Sequence, residues 1–162
     1  MKYYLDTEFY EDGMRIHPIS LAIVREDYKE LYMEFKVTVP LDPWLEENVV
    51  PHLIKSDAEK VTSAEAAELI KEFVGDDEEP EFWAYYADYD WVLFAMLFGR
   101  MIDLPENFPK YCMDLKQLWV HLGRPEKQRV NPPNPVEHFA LADAKWNLEF
   151  HKNLLRWRDS PL

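Results

Sequence analysis

Apolar and polar residues in the first forty positions of this chain follow a period of about two or run unbroken for a few residues, the pattern of strands. Met1–Glu8, Ile16–Arg25 and Glu30–Val39 read as three strands, the second carrying the apolar run Ile19–Val24 with Ser20 inside it. Glu11-Asp12-Gly13 and Glu26-Asp27-Tyr28-Lys29 supply the turns, so an antiparallel meander is expected. Pro40 and Pro43 then break the pattern, and Leu41–Ile54 reads as irregular chain with one short helix.

Beyond that point the period changes. Thr62 and Glu65 form a capping box ahead of a helical stripe of Ala66, Leu69, Ile70 and Phe73, which Gly75 ends. After the acidic loop Asp76–Pro80, Glu81–Ala87 reads as an interior strand and Tyr89–Phe98 as a helix whose stretch Trp91–Phe98 is apolar all round and therefore buried. Tyr111–Met113 is a short strand, and Leu115–Leu122 a helix stopped by Gly123. Arg124–Val136 holds four of the twelve prolines and reads as a loop, and the last helix runs from about Ala140 to Arg158. Strands first, then alternating helix and strand, predict an α/β fold (α+β in stricter terms), a mixed sheet with helices packed on it. No repeat or linker divides the chain, so residues 1–162 are expected to form a single domain.

Composition narrows the classes. At 162 residues with 48% hydrophobic content, one domain with a real core is possible. No apolar run is long enough to span a membrane, and Met1-Lys2-Tyr3 followed by acidic residues is not a signal peptide. The lone cysteine, Cys112, excludes an internal disulfide and suits a reducing, cytoplasmic interior. A net charge of −13 argues against tracking along duplex, because phosphate affinity normally comes from a basic patch. Bound divalent cations would make one acidic site locally attractive to phosphate.

Candidate chemistry begins at Asp6-Thr7-Glu8, which closes the first apolar run. In a strand, Asp6 and Glu8 share a face about 6–7 Å apart and repel unless a cation lies between them. On the last helix, at about 100° per residue, Lys145, Glu149, Lys152 and Arg156 share a polar face. Asp143 falls inside the apolar arc in register with Phe150 and Leu154. A buried carboxylate needs a cation or donors; compensation of the helix dipole is the alternative. Asp90 opens the apolar helix at a strand-to-helix junction, where α/β sites lie, though Asp88 and Asp90 could each be a simple N-cap. His138 stands five residues before Asp143, after the proline-rich loop, where it could serve as a general base or be an ordinary surface histidine. His17, His52, His121 and His151 read as surface or structural.

Taken together, Asp6-Thr7-Glu8, Tyr89-Asp90 and His138-x4-Asp143 resemble the three motifs of the DEDD 3′–5′ exonucleases. Phe139 stands where the tyrosine branch would carry its tyrosine, so His138 marks the histidine (DEDDh) branch. The opening Asp6-Thr7-Glu8-Phe9, with Glu11-Asp12-Gly13 and Ile19-Ser20-Leu21, resembles the polyadenylate-specific exoribonuclease AS family, which has a ribonuclease-H-like fold. The resemblance spans residues 3 to about 150; one departure is Tyr85-Tyr86, where a His-Asn pair is usual. It implies two Mg²⁺ or Mn²⁺ ions, Asp6 bridging both, Glu8 and Asp143 completing one site and Asp90 holding the second. It implies His138 as general base for the attacking water, and release of 5′-nucleoside monophosphates from single-stranded RNA with adenine-rich 3′ ends among its substrates. A homodimer is implied as well. Phe9 and Tyr86 are the candidates for base stacking, and Arg124, Lys127 and Arg129 could reach the phosphate backbone or simply be solvated. A proofreading-type DNA exonuclease and a catalytically silent nucleic-acid-binding module stand as alternatives.

Overall fold

β1 (Lys2–Glu11), β2 (Ile16–Arg25) and β3 (Glu30–Glu34) form the expected antiparallel meander in the computed structural model, which describes residues 1–160. The last two positions of the expected domain, Pro161 and Leu162, lie outside the described residues. β1 continues past Glu8 through a bulge between Glu8 and Phe9. β3 stops at Glu34 rather than Val39: the Phe35 amide still donates to the Ile19 carbonyl of β2 at 2.9 Å, and Phe35 forms an isolated parallel bridge to Val61. Glu34 itself is fully buried: its Oε1 accepts from the Ile54 and Lys55 amides at 2.6 and 3.1 Å and from Tyr32 Oη at 2.8 Å. That carboxylate fastens the irregular segment 50–55 to the sheet.

α1 (Pro43–Asn48) starts where Asp42 accepts from the Leu45 amide at 3.0 Å, and a 3-10 turn follows at Val50–His52. α2 (Ser63–Val74) keeps its capping box and buries Ala66, Ala67, Ile70 and Val74. Leu69, expected in the stripe, is exposed. β4 (Glu81–Ala84) ends three residues earlier than its pattern suggested, and α3 (Ala87–Leu97) begins there. α3 is not buried all round: Tyr89, Val92 and Met96 face outward, because the sheet covers only one side of the helix. β5 (Met113–Asp114) leads into α4 (Leu115–His121). The proline-rich loop contains one turn of helix, α5 (Lys127–Val130), whose Val130 is buried, and α6 (Ala140–Asp159) closes the fold.

The sheet order is β3-β2-β1-β4-β5, with β4 parallel to β1 and β5 parallel to β4. Strand alternation sends Tyr3 and Leu5 to one face and Tyr4 to the other. The first face packs with Ala66, Ile70, Phe82, Trp91 and Phe94 beneath α2 and α3. The second packs with Ala144, Leu148, Phe150 and Leu154 of α6 and Leu115 of α4. On that face Tyr4 Oη and His151 Nδ1 lie 2.9 Å apart, and burial holds the imidazole down at about 4, well below its ordinary range. Among the described residues no helix is long and apolar enough to cross a membrane.

Candidate active site

The alternation of β1 also decides which side each residue of Asp6-Thr7-Glu8 serves. Asp6 and Glu8 share Tyr4's face and point toward α6, whereas Thr7 points toward α3. Asp143, in the first turn of α6, meets the pair. One carboxylate oxygen from each of Asp6, Glu8 and Asp143 lies within 4.8 Å of the others, a set that could hold a cation. Asn147, one turn along α6, donates to the Leu5 carbonyl at 2.9 Å and so fixes the register of the helix against the strand. Asn134 Nδ2 donates to Asp143 Oδ1 at 2.5 Å and aims the carboxylate.

Asp90 approaches from the opposite face. Its Oδ1 accepts from both the Thr7 amide, at 2.8 Å, and Thr7 Oγ1, at 2.7 Å, and the side chain is 7% exposed. It is therefore not a helix cap. That job falls to Asp114, whose Oδ2 accepts from the Ala87 amide at 2.7 Å while its Oδ1 accepts from the Gln117 amide, capping α3 and α4 together.

Crowding four carboxylates costs free energy, because each disfavours the charged form of the others. Burial first, then the charges of Asp90, Asp143 and Glu8, hold the Asp6 carboxyl well above its ordinary range. Burial and then Asp143 and Asp90 push Glu8 up to about 8. Asp90 rises to about 6 through burial, although its two bonds from Thr7 pull the other way. Burial raises Asp143 too, against the bonds from Asn134 and the His138 amide. Each group would lose this penalty beside a cation.

Asp6, Glu8, Asp143 and His138 line one cleft of about 460 Å³, together with Tyr85 and Trp146. His138 has a φ of 63°, a left-handed conformation that costs about 1–3 kcal/mol outside glycine. Its ring meets the exposed Trp44 edge to face, with centroids 4.9 Å apart. The preceding segment is pinned by Trp146 Nε1, which donates to the Pro132 carbonyl at 2.9 Å.

The structure thus brings Asp6, Glu8, Asp143 and His138 to one cleft and sets Asp90 behind the Thr7 backbone. Phe9 and Tyr86 do not line it. Phe9 stacks on Tyr89 with centroids 5.4 Å apart, and Tyr86 is 61% exposed beside Tyr85. Arg124, Lys127 and Arg129 are likewise absent from its walls. Asn147 carried a sequence signal, since it falls four residues after Asp143 on the apolar side of α6. Tyr85 stood out only as a departure from the motif pattern, and Asn134 and the double cap at Asp114 carried no signal, because each depends on distant chain.

Comparison with known proteins gives the family and the fold. Residues 1–155 match the family model described as the 3′–5′ exoribonuclease Rv2179c-like domain. The chain is similar to the 3′–5′ exoribonuclease Rv2179c of Mycobacterium tuberculosis, 36% identical over 154 residues that cover 90% of this chain and 88% of the relative. In fold it is similar to the RNase domain of the yeast Pop2 protein, with a TM-score of 0.68 at 11% identity, over 98% of this chain and 77% of that one. It is also similar to S. pombe Pop2p in a form with Mg²⁺ and Mn²⁺ bound, with a TM-score of 0.63 at 15% identity, over 99% and 83%. These likenesses show a ribonuclease-H-like α/β fold.

Proposed function

This chain belongs to the Rv2179c-like 3′–5′ exoribonuclease domain family and is a 3′–5′ exoribonuclease; from that premise we propose that it removes nucleotides one at a time from single-stranded RNA 3′ ends as 5′-monophosphates. The observation that carries this reading is the meeting of Asp6, Glu8 and Asp143 within 4.8 Å in a cleft shared with His138.

Hard carboxylate oxygens suit Mg²⁺ or Mn²⁺ rather than zinc, and carboxyls raised by mutual repulsion fit a site completed by divalent charge. Asp6, Glu8 and Asp143 would hold one ion, and Asp6 with Asp90 a second. Pop2p, which shares the fold, binds Mg²⁺ and Mn²⁺. Bound there, the ions supply positive charge to the reacting phosphate and to the leaving 3′ oxygen.

The chain's own residues do the rest. His138 takes the proton of the attacking water, and Trp44 limits the swing of that ring. Asn134 holds Asp143 in place, and Asp90 steadies the Thr7 backbone between Asp6 and Glu8. The enzyme is of the histidine (DEDDh) branch, the described residues form one exonuclease domain, and the AS-type opening suggests adenine-rich 3′ ends among its substrates. The same resemblance supports a homodimer, and the lone Cys112 a cytoplasmic setting.

The test is digestion of matched 5′-labelled RNA and DNA oligomers with Mn²⁺ or Mg²⁺, with the released mononucleotides resolved separately by chromatography. A ladder of products shortened from the 3′ end, with mononucleotide release and RNA preferred, supports the reading; no mononucleotide from either refutes it. Asp6→Ala should abolish both turnover and metal binding by calorimetry, whereas His138→Ala should abolish turnover and still bind metal.

A further inference from the structure

Among the described residues the active cleft is lined by Asp6, Glu8, Glu137 and Asp143 but by no lysine or arginine. An RNA strand brings one phosphate to the carboxylate cluster, where divalent charge can meet it. The next phosphate upstream then faces acidic wall, in a chain whose net charge is −13. A cation in contact with a lining side chain is Lys116, in the first turn of α4. Its Nζ donates to Tyr85 Oη at 3.4 Å, and Tyr85 is part of the cleft wall.

Lys116 is held in place rather than left to solvent. Its ammonium lies 4.3 Å from the Trp119 ring centroid, 5.5 Å from that of Tyr86 and 5.7 Å from that of Tyr85. Each distance is inside the range of about 6 Å over which a cation is attracted to a ring face. Tyr85 is braced in turn, edge to face against Trp146 at 5.3 Å and Phe150 at 5.7 Å. Asp114 ties these parts together, because the α3 and α4 N-termini that it caps follow Tyr86 and carry Lys116. Tyr86 takes a φ of 57° to make that turn.

An ammonium has three donors, and the bond to Tyr85 uses one. Tyr85 Oη, which accepts that bond, keeps its own proton to donate. A fixed cation and a hydroxyl donor at the edge of an otherwise acidic cleft make a phosphate site. We propose that Lys116 and Tyr85 bind the phosphodiester immediately upstream of the scissile one. This subsite falls where the sequence departs from its family pattern, at Tyr85-Tyr86, and it rests on the exoribonuclease reading above.

The test compares two substrates of the full-length protein. One is a short single-stranded RNA, and the other is a p-nitrophenyl ester of a nucleoside 5′-monophosphate, which has no upstream phosphodiester. Lys116→Gln should lower the ratio of RNA to ester kcat/KM about tenfold, chiefly through KM. The slope of log(kcat/KM) for RNA against log salt should become shallower by about 0.7, the value for one lost contact to single strands. Lys116→Arg should restore most of the ratio, and Tyr85→Phe should lower it less than Lys116→Gln. An unmoved ratio and salt slope in Lys116→Gln, or equal losses on both substrates, would overturn the subsite alone. Wild-type protein inactive on both substrates would overturn the exoribonuclease reading and the subsite with it.

Discussion

Glu8→Gln should stabilise the metal-free protein at alkaline pH while destroying its response to metal. The Glu8 carboxyl is raised from 4.5 to about 8 by burial and by Asp143 and Asp90. Between those values the folded state binds more protons than the unfolded state, so stability falls as pH rises through this window. Below pH 4.5 the group costs nothing, and above about 8 the penalty is complete. At about 1.4 kcal/mol per pKa step the ceiling is about 5 kcal/mol, and the high effective dielectric of a partly open cleft reduces it to about 2–3 kcal/mol. A neutral glutamine escapes the penalty at every pH. For a chain of this size that difference is about 4–12 °C in Tm. Thermal unfolding in a strong chelator at pH 5, 7 and 9 measures it: the Tm advantage of the variant should grow from near zero at pH 5 to its full value at pH 9. Adding Mn²⁺ or Mg²⁺ should reverse the order, since wild type gains about 2.7 kcal/mol at a hundredfold excess over Kd. If the variant is less stable than wild type at pH 9 in chelator, or metal raises both proteins equally, the electrostatic account of the cluster is wrong.

Three further perturbations probe the supports of the site. Asp90→Asn keeps an acceptor for Thr7 and should unfold in urea within about 1 kcal/mol of wild type, whereas Asp90→Ala orphans a buried amide and should cost about 1–3 kcal/mol; equal losses would show that the Thr7 bonds do not matter. Asn147→Leu leaves the Leu5 carbonyl without its donor and should cost about 1–3 kcal/mol in urea unfolding, with lower turnover as α6 loosens; unchanged stability and activity would count against α6 register as the determinant of the site. His151, held at about 4 against an ordinary 6.5, resists the proton that the unfolded chain accepts, so its contribution to stability is complete above pH 6.5 and falls away toward pH 4. In His151→Phe the loss of stability between pH 7.5 and 5 should be smaller than in wild type by up to about 2 kcal/mol; parallel urea-unfolding profiles at the two pH values would refute that role.

Much of the site was legible because carboxylates in apolar patterns are costly and therefore conspicuous. Asp6 and Glu8 on a strand, and Asp143 inside the arc of α6, stood out by period alone, and the structure brings all three together. Local chemistry also placed β2 at Ile16–Arg25, the capping box of α2 and the start of α6 at Ala140. Where the reading fell short, the missing term was a distant partner. Just past β3, Phe35 pairs with the distant Val61. The outward side of α3 was left open because the sheet reaches only one face of it.

Period and charge, with the resemblance that pairs His138 with Asp143, marked out the residues that could carry the chemistry. Packing set what those residues do to one another. The pleat of β1 sends Asp6 and Glu8 to α6 but hands Thr7 to Asp90 across the sheet. A carboxylate far along the chain, Asp114, caps α3 and α4 together, while Trp146 and Phe150 of α6 brace Tyr85 in the cleft wall. Period is a property of neighbours along the backbone, whereas a cleft is made of side chains that meet only after the sheet has twisted and the helices have packed.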